Sequence, residues 1–294
     1  MAVPLSRKAL AAIVAALPLS DRDVSFELLD IGFSSVVVAF GSSVVRVART
    51  GQAKEGHERE ARLLPWLKGR LSVALPVPIT LLAPGADLPF GAIVQPRLPG
   101  RVMTAEDGGR SVTTADFGRV LALLHGQDYD EAPAGSIQHL DPARYVRRIE
   151  RETNPLLRGR LSSREWTKLT TRLDDAQELS GEQDRALCHG DAWFGNVLVG
   201  DDDHVTALLD FEDACLADRA LDLAATMSLD PPGPDRLLDA YFGDKPPSSS
   251  LSARIDVYVL LRELAGLAYV LRNEMEEELE YQLQKVRAAV DHET

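Results

Sequence analysis

The spacing of apolar positions changes near residue 100 and predicts a β-rich first part and a mostly helical remainder. Between Phe26 and Arg49, short β-branched runs separated by Gly and Ser clusters predict three antiparallel strands. Two further strands are predicted at Ile79–Leu82 and Ala92–Val94, and a helix is predicted at residues 54–67, where apolar positions recur at helical spacing. The predicted fold class is therefore α+β, with a small lobe made of a five-stranded antiparallel sheet and one main helix.

The remainder of the chain is predicted to be helical, with one strand pair inside it. Helical periodicity predicts helices at residues 117–125, 144–152, 164–179, 219–227 and, in long segments, 251–290. Apolar runs flanking a polar turn at Asp201–Asp203 predict a strand, a loop and a second strand. The stiff segment Gln95–Gly100 is interpreted as a linker, so the predicted lobes are residues 1–96 and 101–294.

Composition and charge narrow the classes of function. A chain of 294 residues exceeds a typical single domain and suggests two lobes around a cleft. The net charge of -13 argues against a nucleic-acid partner, and it is compatible with a cationic small molecule or with a merely well-solvated surface. No apolar run is long enough to span a bilayer, and the N-terminal run has the spacing of an amphipathic helix rather than a signal peptide. We therefore expect a cytoplasmic protein without a membrane partner, monomeric or weakly dimeric.

The strongest chemical signal is the segment from His189 to Asn196, followed by Asp210 in an apolar run. It places a carboxylate at Asp191, an amide five residues later and a second carboxylate on a following strand. Asp191 can accept the proton of a hydroxyl group, while Asn196 and Asp210 can hold magnesium against nucleotide phosphates, because oxygen ligands suit a hard cation. In isolation these residues describe a polar loop before a hairpin, but their combination and spacing indicate phosphoryl transfer.

A further block, Asp218–Ala224, completes a pattern that resembles the aminoglycoside phosphotransferase family. The resemblance extends from about Leu28 to Ala224 and depends on three blocks in this order and spacing. It implies a protein-kinase-like bilobal fold. It also implies transfer of the terminal phosphoryl group of ATP or GTP, with Mg²⁺, to a hydroxyl of a small molecule.

The resemblance also implies how the upstream residues bind the nucleotide. Arg46, on the third predicted strand, stands where family members have a cation on the nucleotide phosphates, and Glu60 matches the helix acid that pairs with that cation. An alternative for Arg46 is an ordinary solvent-facing strand residue. Because arginine presents a planar fork, its phosphate geometry is expected to differ from that of lysine.

Two loops complete the predicted nucleotide site. The segment Gly32-Phe33-Ser34-Ser35 stands where the family has its phosphate-covering loop, so its backbone and the hydroxyls of Ser34 and Ser35 are expected near the phosphates. Backbone groups at the linker are expected to bind the adenine edge. This adds three residues to the predicted nucleotide-binding set: Gln95, Arg97 and Leu98.

The sequence departs from protein kinases after Asp210. Asp210-Phe211-Glu212 lacks the glycine of protein kinases, and no long activation segment separates it from Asp218. Both departures oppose a regulated protein kinase and favour a small-molecule kinase. A non-catalytic nucleotide-binding module is the alternative from a different class, and the intact set of predicted site residues speaks against it.

The acceptor is predicted to be an aminoglycoside-type antibiotic, which is a polycation and needs several acids around it. Asp213 lies near Asp210, and a late helix carries the other candidate substrate ligands, Glu274, Glu277 and Glu278. The alternative for these helix acids is a solvated face. A macrolide or other antibiotic, or a metabolite such as an amino alcohol or sugar, stays open as the acceptor.

Overall fold

A computed structural model describes residues 5–31, 34–179, 184–245 and 247–291 of the chain. The strands in these residues are β1 Phe26–Ile31, β2 Ser35–Phe40, β3 Ser43–Ala48, β4 Thr80–Leu82, β5 Ala92–Pro96, β6 Arg101–Val102, β7 Gln138–His139, β8 Arg185–Cys188, β9 Val197–Val199, β10 Val205–Leu208 and β11 Cys215–Asp218. The helices are α1 Arg7–Ala16, α2 Gly51–Leu67, α3 Ser111–His125, α4 Pro142–Leu157, α5 Ser163–Leu179, α6 Ala220–Thr226, α7 Gly233–Phe242, α8 Ser249–Arg272 and α9 Glu276–Asp291.

The chain divides into two compact units, each assembled from three stretches of sequence. Unit 1 comprises Met1–Thr104, Gln127–Gln138 and Phe194–Ala214. Unit 2 comprises Ala105–Gly126, His139–Trp193 and Cys215–Thr294. The predicted lobe boundary at residues 95–100 stays a prediction.

Unit 1 is built on the predicted five-stranded antiparallel sheet, whose strand order is β1-β2-β3-β5-β4. Its apolar face is covered by α1, which packs Ala9, Ile13 and Leu17 against buried residues of the sheet such as Val38 and Val45. Removal of this apolar surface from water is the main force that holds α1 on the sheet.

The helix α2 begins at Gly51, earlier than the predicted residue 54. Thr50 has an extended backbone, and its side chain accepts a hydrogen bond from the N–H of Ala53, which caps the helix. The first turn has few apolar residues at helical spacing, so the sequence pattern alone predicts the helix only from residue 54. Farther along, Leu63, Leu64 and Leu67 are fully buried and anchor α2 in unit 1.

A second sheet of unit 1 contains the predicted strand–loop–strand segment. Its strand order is β10-β9-β6, and the β9–β10 pair is antiparallel. The predicted turn lies between these strands, with Asp203 at a positive φ of 64°. Asn196 and Asp210 immediately flank this hairpin, so its closure brings the two predicted metal ligands to the same end of the strand pair.

Unit 2 is mainly helical, in agreement with the sequence pattern. The helix α8 packs against α4, α6 and α9, and α3 packs against α7. The strands β8 and β11 pair antiparallel, with Cys188 opposite Cys215, and both cysteines are buried. Burial raises the pKa of the Cys188 thiol, as expected for an inert structural cysteine. Among the described residues, no helix is both long and apolar enough to cross a membrane.

Candidate active site

Arg46 lies at the centre of a buried cluster of charged groups in unit 1. Its side chain is only 8% exposed, which excludes the alternative of a solvent-facing strand residue. Nη1 donates to Oε2 of Glu60 at 2.8 Å, and Nη2 donates to Oε2 of Glu212 at 2.7 Å and to Oδ1 of Asp210. One guanidinium group therefore joins a strand, a helix and the loop that follows β10.

The charged groups of this cluster stabilise each other in their ionised forms. Burial disfavours the charged form of Arg46, but the three carboxylates outweigh burial and raise its pKa. The Glu60 side chain is completely buried. Burial raises the pKa of Glu60, while the Arg46 charge and hydrogen bonds from Gln95 and from the backbone N–H of Phe211 favour the carboxylate. Loss of Arg46 would leave the buried Glu60 carboxylate without its cation.

Glu212 is a member of this cluster that the sequence pattern did not assign to the site. Burial and the neighbouring charge of Asp210 raise the pKa of Glu212 to about 7, against the lowering influence of Arg46. The hydroxyl of Ser34 is hydrogen-bonded to the same carboxylate. The available signal was an acid in place of glycine, two residues after Asp210.

The two predicted metal ligands lie beside each other at the end of the β9–β10 hairpin. The N–H of Leu209 donates to the backbone carbonyl of Asn196 at 2.8 Å, so Asp210 follows directly on a residue paired with Asn196. Asp210 has a left-handed backbone (φ 61°, ψ 66°), which is uncommon outside glycine and is found at functional sites. Its side chain is 36% exposed. A carboxylate and an amide oxygen at this end of the hairpin fit a hard divalent cation.

The predicted phosphate-covering loop is described only in part, because Gly32 and Phe33 lie outside the described residues. Ser35 is buried in β2, and its hydroxyl is 3.2 Å from Nε2 of His57. Among the described residues, Nδ1 of His57 is buried without a hydrogen-bond partner. Burial and the Arg46 charge lower the pKa of His57 to about 3, so the imidazole is neutral at physiological pH.

The residues predicted at the linker have different environments. Gln95 lies within β5, opposite Val44, and its amide donates to Oε1 of Glu60 and to the carbonyl of Pro76, both at 2.9 Å. Its side chain therefore supports the Arg46 cluster. Arg97 is exposed and forms a 3.2 Å ion pair with the exposed Glu27, and Leu98 is half-buried. The predicted role of their backbone groups stays a prediction.

In unit 2, Asp222 holds the loop that carries the predicted base. Its carboxylate accepts hydrogen bonds from the backbone N–H of His189 at 2.6 Å, the N–H of Gly190 at 2.9 Å and Nε2 of His125 at 3.0 Å. Burial raises the pKa of Asp222, but these hydrogen bonds outweigh burial and lower it. These contacts give Asp222 an anchoring role for the loop.

Asp191 lies in this loop, directly after the two residues that bind Asp222. Its N–H donates to Nδ1 of His189 at 3.3 Å, so this histidine braces the backbone at Asp191. Gly190 has a φ of 86°, a conformation that glycine adopts without strain. The Asp191 carboxylate is 45% exposed and lies 3.9 Å from Nη1 of Arg262, which α8 supplies. Sequence reasoning missed Arg262, because nothing in the pattern of α8 distinguishes it.

The predicted substrate acids are divided between the two units. Asp213 belongs to unit 1 and is half-buried, and its backbone carbonyl accepts a 3.2 Å hydrogen bond from the side chain of Gln138. Glu274, Glu277 and Glu278 are exposed in unit 2, where Glu277 and Glu278 occupy the first turn of α9. Acids in a first turn are stabilised by the helix dipole, which gives Glu277 and Glu278 a structural role. Their role in substrate binding stays a prediction.

The sequence matches the model of the phosphotransferase enzyme family (APH) over residues 25–246. This range includes the Arg46 cluster, the predicted metal ligands and the loop of Asp191. No curated protein matches the sequence significantly.

Solved structures extend the similarity to almost the whole chain. The GDP and kanamycin complex of APH(2")-IIia has a TM-score of 0.84 at 14% identity, covering 97% of this chain and 98% of that chain. The gentamicin complex of APH(2")-IIa has a TM-score of 0.75 at 14% identity, covering 99% and 98%. The macrolide 2'-phosphotransferase MphH from Brachybacterium faecium has a TM-score of 0.64 at 23% identity, covering 92% and 95%. At these identities the similarity concerns the fold, and it confirms the predicted α+β, protein-kinase-like class.

Proposed function

The chain belongs to the phosphotransferase enzyme family, and from this premise we propose that it transfers the terminal phosphoryl group of ATP or GTP to a hydroxyl group of a small molecule. The observation that carries the proposal is the Arg46 cluster with Glu60 and Asp210, together with the anchored loop of Asp191. A catalytically silent relative would have no chemical reason to keep this set.

Arg46 is the proposed cation for the phosphates of the nucleotide. Glu60 accepts hydrogen bonds from Gln95 and from the Phe211 N–H, and it fixes Nη1 of Arg46. Nη2 of the same guanidinium group faces the carboxylates of the loop. A guanidinium fork suits phosphate oxygens, because it offers two parallel donors. Binding of the nucleotide then exchanges the contacts of Nη2 with acids for contacts with phosphate.

Asn196 and Asp210 are the proposed ligands of Mg²⁺. When bound, the metal ion supplies positive charge that offsets the charge on the transferring phosphoryl oxygens. The remaining chemistry belongs to the chain itself, which positions the donor and withdraws the proton of the acceptor.

Asp191 is the proposed general base. In the reaction the acceptor oxygen forms a bond to the terminal phosphorus, the bond from that phosphorus to the bridging oxygen breaks, and the nucleoside diphosphate leaves. The hydroxyl proton passes to the Asp191 carboxylate, whose loop is held by Asp222 and His189. A rigid loop keeps the carboxylate oriented towards the hydroxyl, which is the main contribution expected of the protein.

The proposed acceptors are aminoglycosides and, as an alternative, macrolides. Support comes from structural relatives described with kanamycin and gentamicin and from one described as a macrolide 2'-phosphotransferase. A metabolic hydroxyl compound is the alternative outside the antibiotics. The cytoplasm, where ATP and GTP are available, is the proposed location.

The decisive experiment measures nucleoside diphosphate release with ATP and with GTP against a panel of kanamycin, gentamicin, a macrolide and simple sugars. We expect acceptor-dependent release, and we expect Asp191→Asn to lower kcat by about 10²–10⁴-fold, the usual contribution of a general base. Asp201→Asn, at an exposed acid of the β9–β10 turn, is the matched control and should leave kcat unchanged. A kcat for Asp191→Asn within a few-fold of the parent would show that this residue is not the base.

A further inference from the structure

An arginine-lined cavity runs along the first half of α4 in unit 2. Its volume is about 600 Å³, within the range of pockets that hold small molecules. Four arginines of α4 line it: Arg144, Arg147, Arg148 and Arg151. His139 and Tyr145 complete the polar part of the lining.

The charge of this cavity is opposite to that of the protein as a whole. The chain has a net charge of -13, yet all four lining arginines are exposed on one face of α4. Among the described residues, no ion pair joins Arg144, Arg148 or Arg151 to a carboxylate. The one lining acid, Asp141, caps α4 by accepting the backbone N–H of Arg144 at 3.1 Å.

Two acids, Glu150 and Glu152, also lie on α4. Glu150 is half-buried, and burial raises its pKa, with a lowering contribution from Arg147. Glu152 faces α8, where its carboxylate is 3.9 Å from Arg272. Arg148 lies over the ring of Tyr145 at 5.3 Å, which holds its guanidinium plane in place beside the cavity.

The backbone connects this cavity to the loop of the proposed base. Leu140 lines the cavity, and its N–H donates to the carbonyl of Leu216 in β11 at 3.2 Å. Leu216 is in turn paired with Leu187 in β8, four residues before Asp191. Neighbouring strands are about 4.8 Å apart, so the cavity begins about 10 Å from the strand that ends in the catalytic loop.

The helix α8 makes a second connection. It packs against α4 on one side, and it also supplies Arg262, whose guanidinium lies 3.9 Å from the Asp191 carboxylate. The helix that packs against α4 therefore also places a positive charge beside the proposed base. A polycation would be repelled by the cavity, whereas a phosphate or carboxylate would find several guanidinium donors there.

We propose that this cavity binds the acceptor through an anionic group, so that the acceptor is a hydroxyl compound carrying a phosphate or a carboxylate. This inference rests on the proposed phosphoryl transfer and narrows its substrate class. Arg144, Arg148 and Arg151 hold the oxyanion, and the hydroxyl to be phosphorylated extends towards Asp191. The expected acceptor thereby differs from the kanamycin and gentamicin of the structural relatives.

The test uses four probes with one sugar skeleton: glucose, glucosamine, glucuronate and glucose 6-phosphate. Their binding to the full chain is measured by calorimetry or NMR titration, and their turnover is measured with ATP and GTP. The variant Arg144→Gln/Arg148→Gln/Arg151→Gln removes the charges of the cavity. The control Arg158→Gln/Arg160→Gln/Arg164→Gln removes three exposed arginine charges next to α4 but outside the cavity.

We expect the two anionic sugars to bind more tightly than glucose and glucosamine. We also expect the cavity variant to weaken their binding, and to raise KM for an anionic acceptor, by about 10- to 100-fold with little change in kcat, because exposed charge pairs contribute up to about 1 kcal/mol each. The control variant should match the parent. Since the nucleotide site also takes phosphate, the difference between the two variants isolates the cavity.

Equal binding of glucuronate and glucose 6-phosphate to the cavity variant and to the parent would overturn the inference. Turnover of kanamycin with a KM that the cavity variant leaves unchanged would overturn it as well, while the proposed phosphoryl transfer would stand. Conversely, arginine-dependent binding of glucuronate by a chain that transfers phosphate to no acceptor would reject the proposed function and keep the anion site.

Discussion

At the scale of single residues, the candidate site is a set of buried charges that depend on each other. Arg46 forms ion pairs with Glu60, Asp210 and Glu212. Loss of the guanidinium would leave these carboxylates without their positive partner. His57 completes the surroundings of the cluster as a buried neutral imidazole, next to the Arg46 charge. Burial and the Arg46 charge therefore keep His57 unprotonated in the folded chain at pH values well above 3.

The low pKa of His57 predicts that the free energy of unfolding decreases at acid pH. The pKa of His57 is about 3 in the folded protein and 6.5 as a model value, so between these values the unfolded chain binds a proton that the folded chain does not. The contribution is complete above pH 6.5 and is lost as the pH falls towards 3. Between pH 6.5 and pH 5 the expected loss is about 2 kcal/mol, since one pKa unit corresponds to about 1.4 kcal/mol.

Urea unfolding of the parent and of His57→Gln across pH 7 to 4.5 measures this contribution. The variant should show a smaller decrease in the free energy of unfolding towards low pH. His139→Gln, at an exposed histidine, is the matched control and should keep the decrease of the parent. Identical pH dependence in His57→Gln and the parent would mean that His57 accepts a proton freely in the folded state.

At the scale of elements, α2 positions the loop that carries the predicted metal ligand. Gly56 allows close approach, because a Cβ at this position would lie 2.8 Å from Cβ of Glu212. Arg59 donates to the carbonyl of Glu212 at 3.0 Å, and Glu60 binds the N–H of Phe211. A single helix face thus fixes both the backbone and the side chains of the loop after β10.

Gly56→Ala tests this arrangement, with two opposing effects. Alanine favours a helix over glycine by about 1 kcal/mol, whereas a forced overlap in a packed region costs about 1–3 kcal/mol. We expect the overlap to prevail, because the neighbouring atoms include Glu212 backbone, and we expect a lower melting temperature together with a lower kcat.

Gly51→Ala is the control for helix propensity, since a Cβ there would have no neighbour within 4 Å. It should be neutral or stabilising and should leave kcat unchanged. If Gly56→Ala behaved like Gly51→Ala in thermal unfolding and in turnover, α2 would not constrain the loop in the proposed way.

At the scale of the whole molecule, each unit is assembled from distant stretches of sequence. Unit 1 takes Arg46 from its first stretch and both predicted metal ligands from Phe194–Ala214. The base-bearing loop belongs to unit 2 and returns to unit 1 at Phe194. Ligand binding to residues from separate stretches is expected to stabilise the folded chain as a whole, because the unfolded chain does not hold the ligands together.

Removal of Mg²⁺ by a chelator is therefore expected to change the melting temperature of the nucleotide-bound protein. At 100 times its Kd, a nucleotide–Mg²⁺ complex stabilises the folded state by about 2.7 kcal/mol, which corresponds to a rise in Tm of several degrees. EDTA should abolish turnover and most of this rise, and added Mg²⁺ should restore both. The control Asp201→Asn should behave as the parent, whereas Asp210→Asn should lose the metal-dependent part of the rise. A full thermal shift in EDTA would argue that Asn196 and Asp210 do not hold a metal.

The sequence pattern predicted much of the fold, because local spacing governs local structure. Period-two and β-branched runs marked the strands of the five-stranded sheet, and helical spacing marked the helices, with errors at ends such as residues 51–53 of α2. The short strands β6, β7, β8 and β11 were not predicted, because runs of two to four residues are too short to show a period. The motif around Asp191 also led to the correct family. The pairing of Arg46 with Glu60 was implied by that resemblance and is present in the structure.

The amino-acid sequence by itself determined the five-stranded sheet, the β9–β10 pair, the helices and the family, since each is encoded in residue types at short separations. Only the tertiary structure decided that Arg46 also pairs with Asp210 and Glu212, because these acids come from more than 160 residues away along the chain. It likewise decided that Arg262 lies beside Asp191 and that exposed arginines of α4 line a cavity. The physical reason is that burial and charge pairing depend on which distant surfaces meet, and spacing along a helix or strand does not record its neighbour.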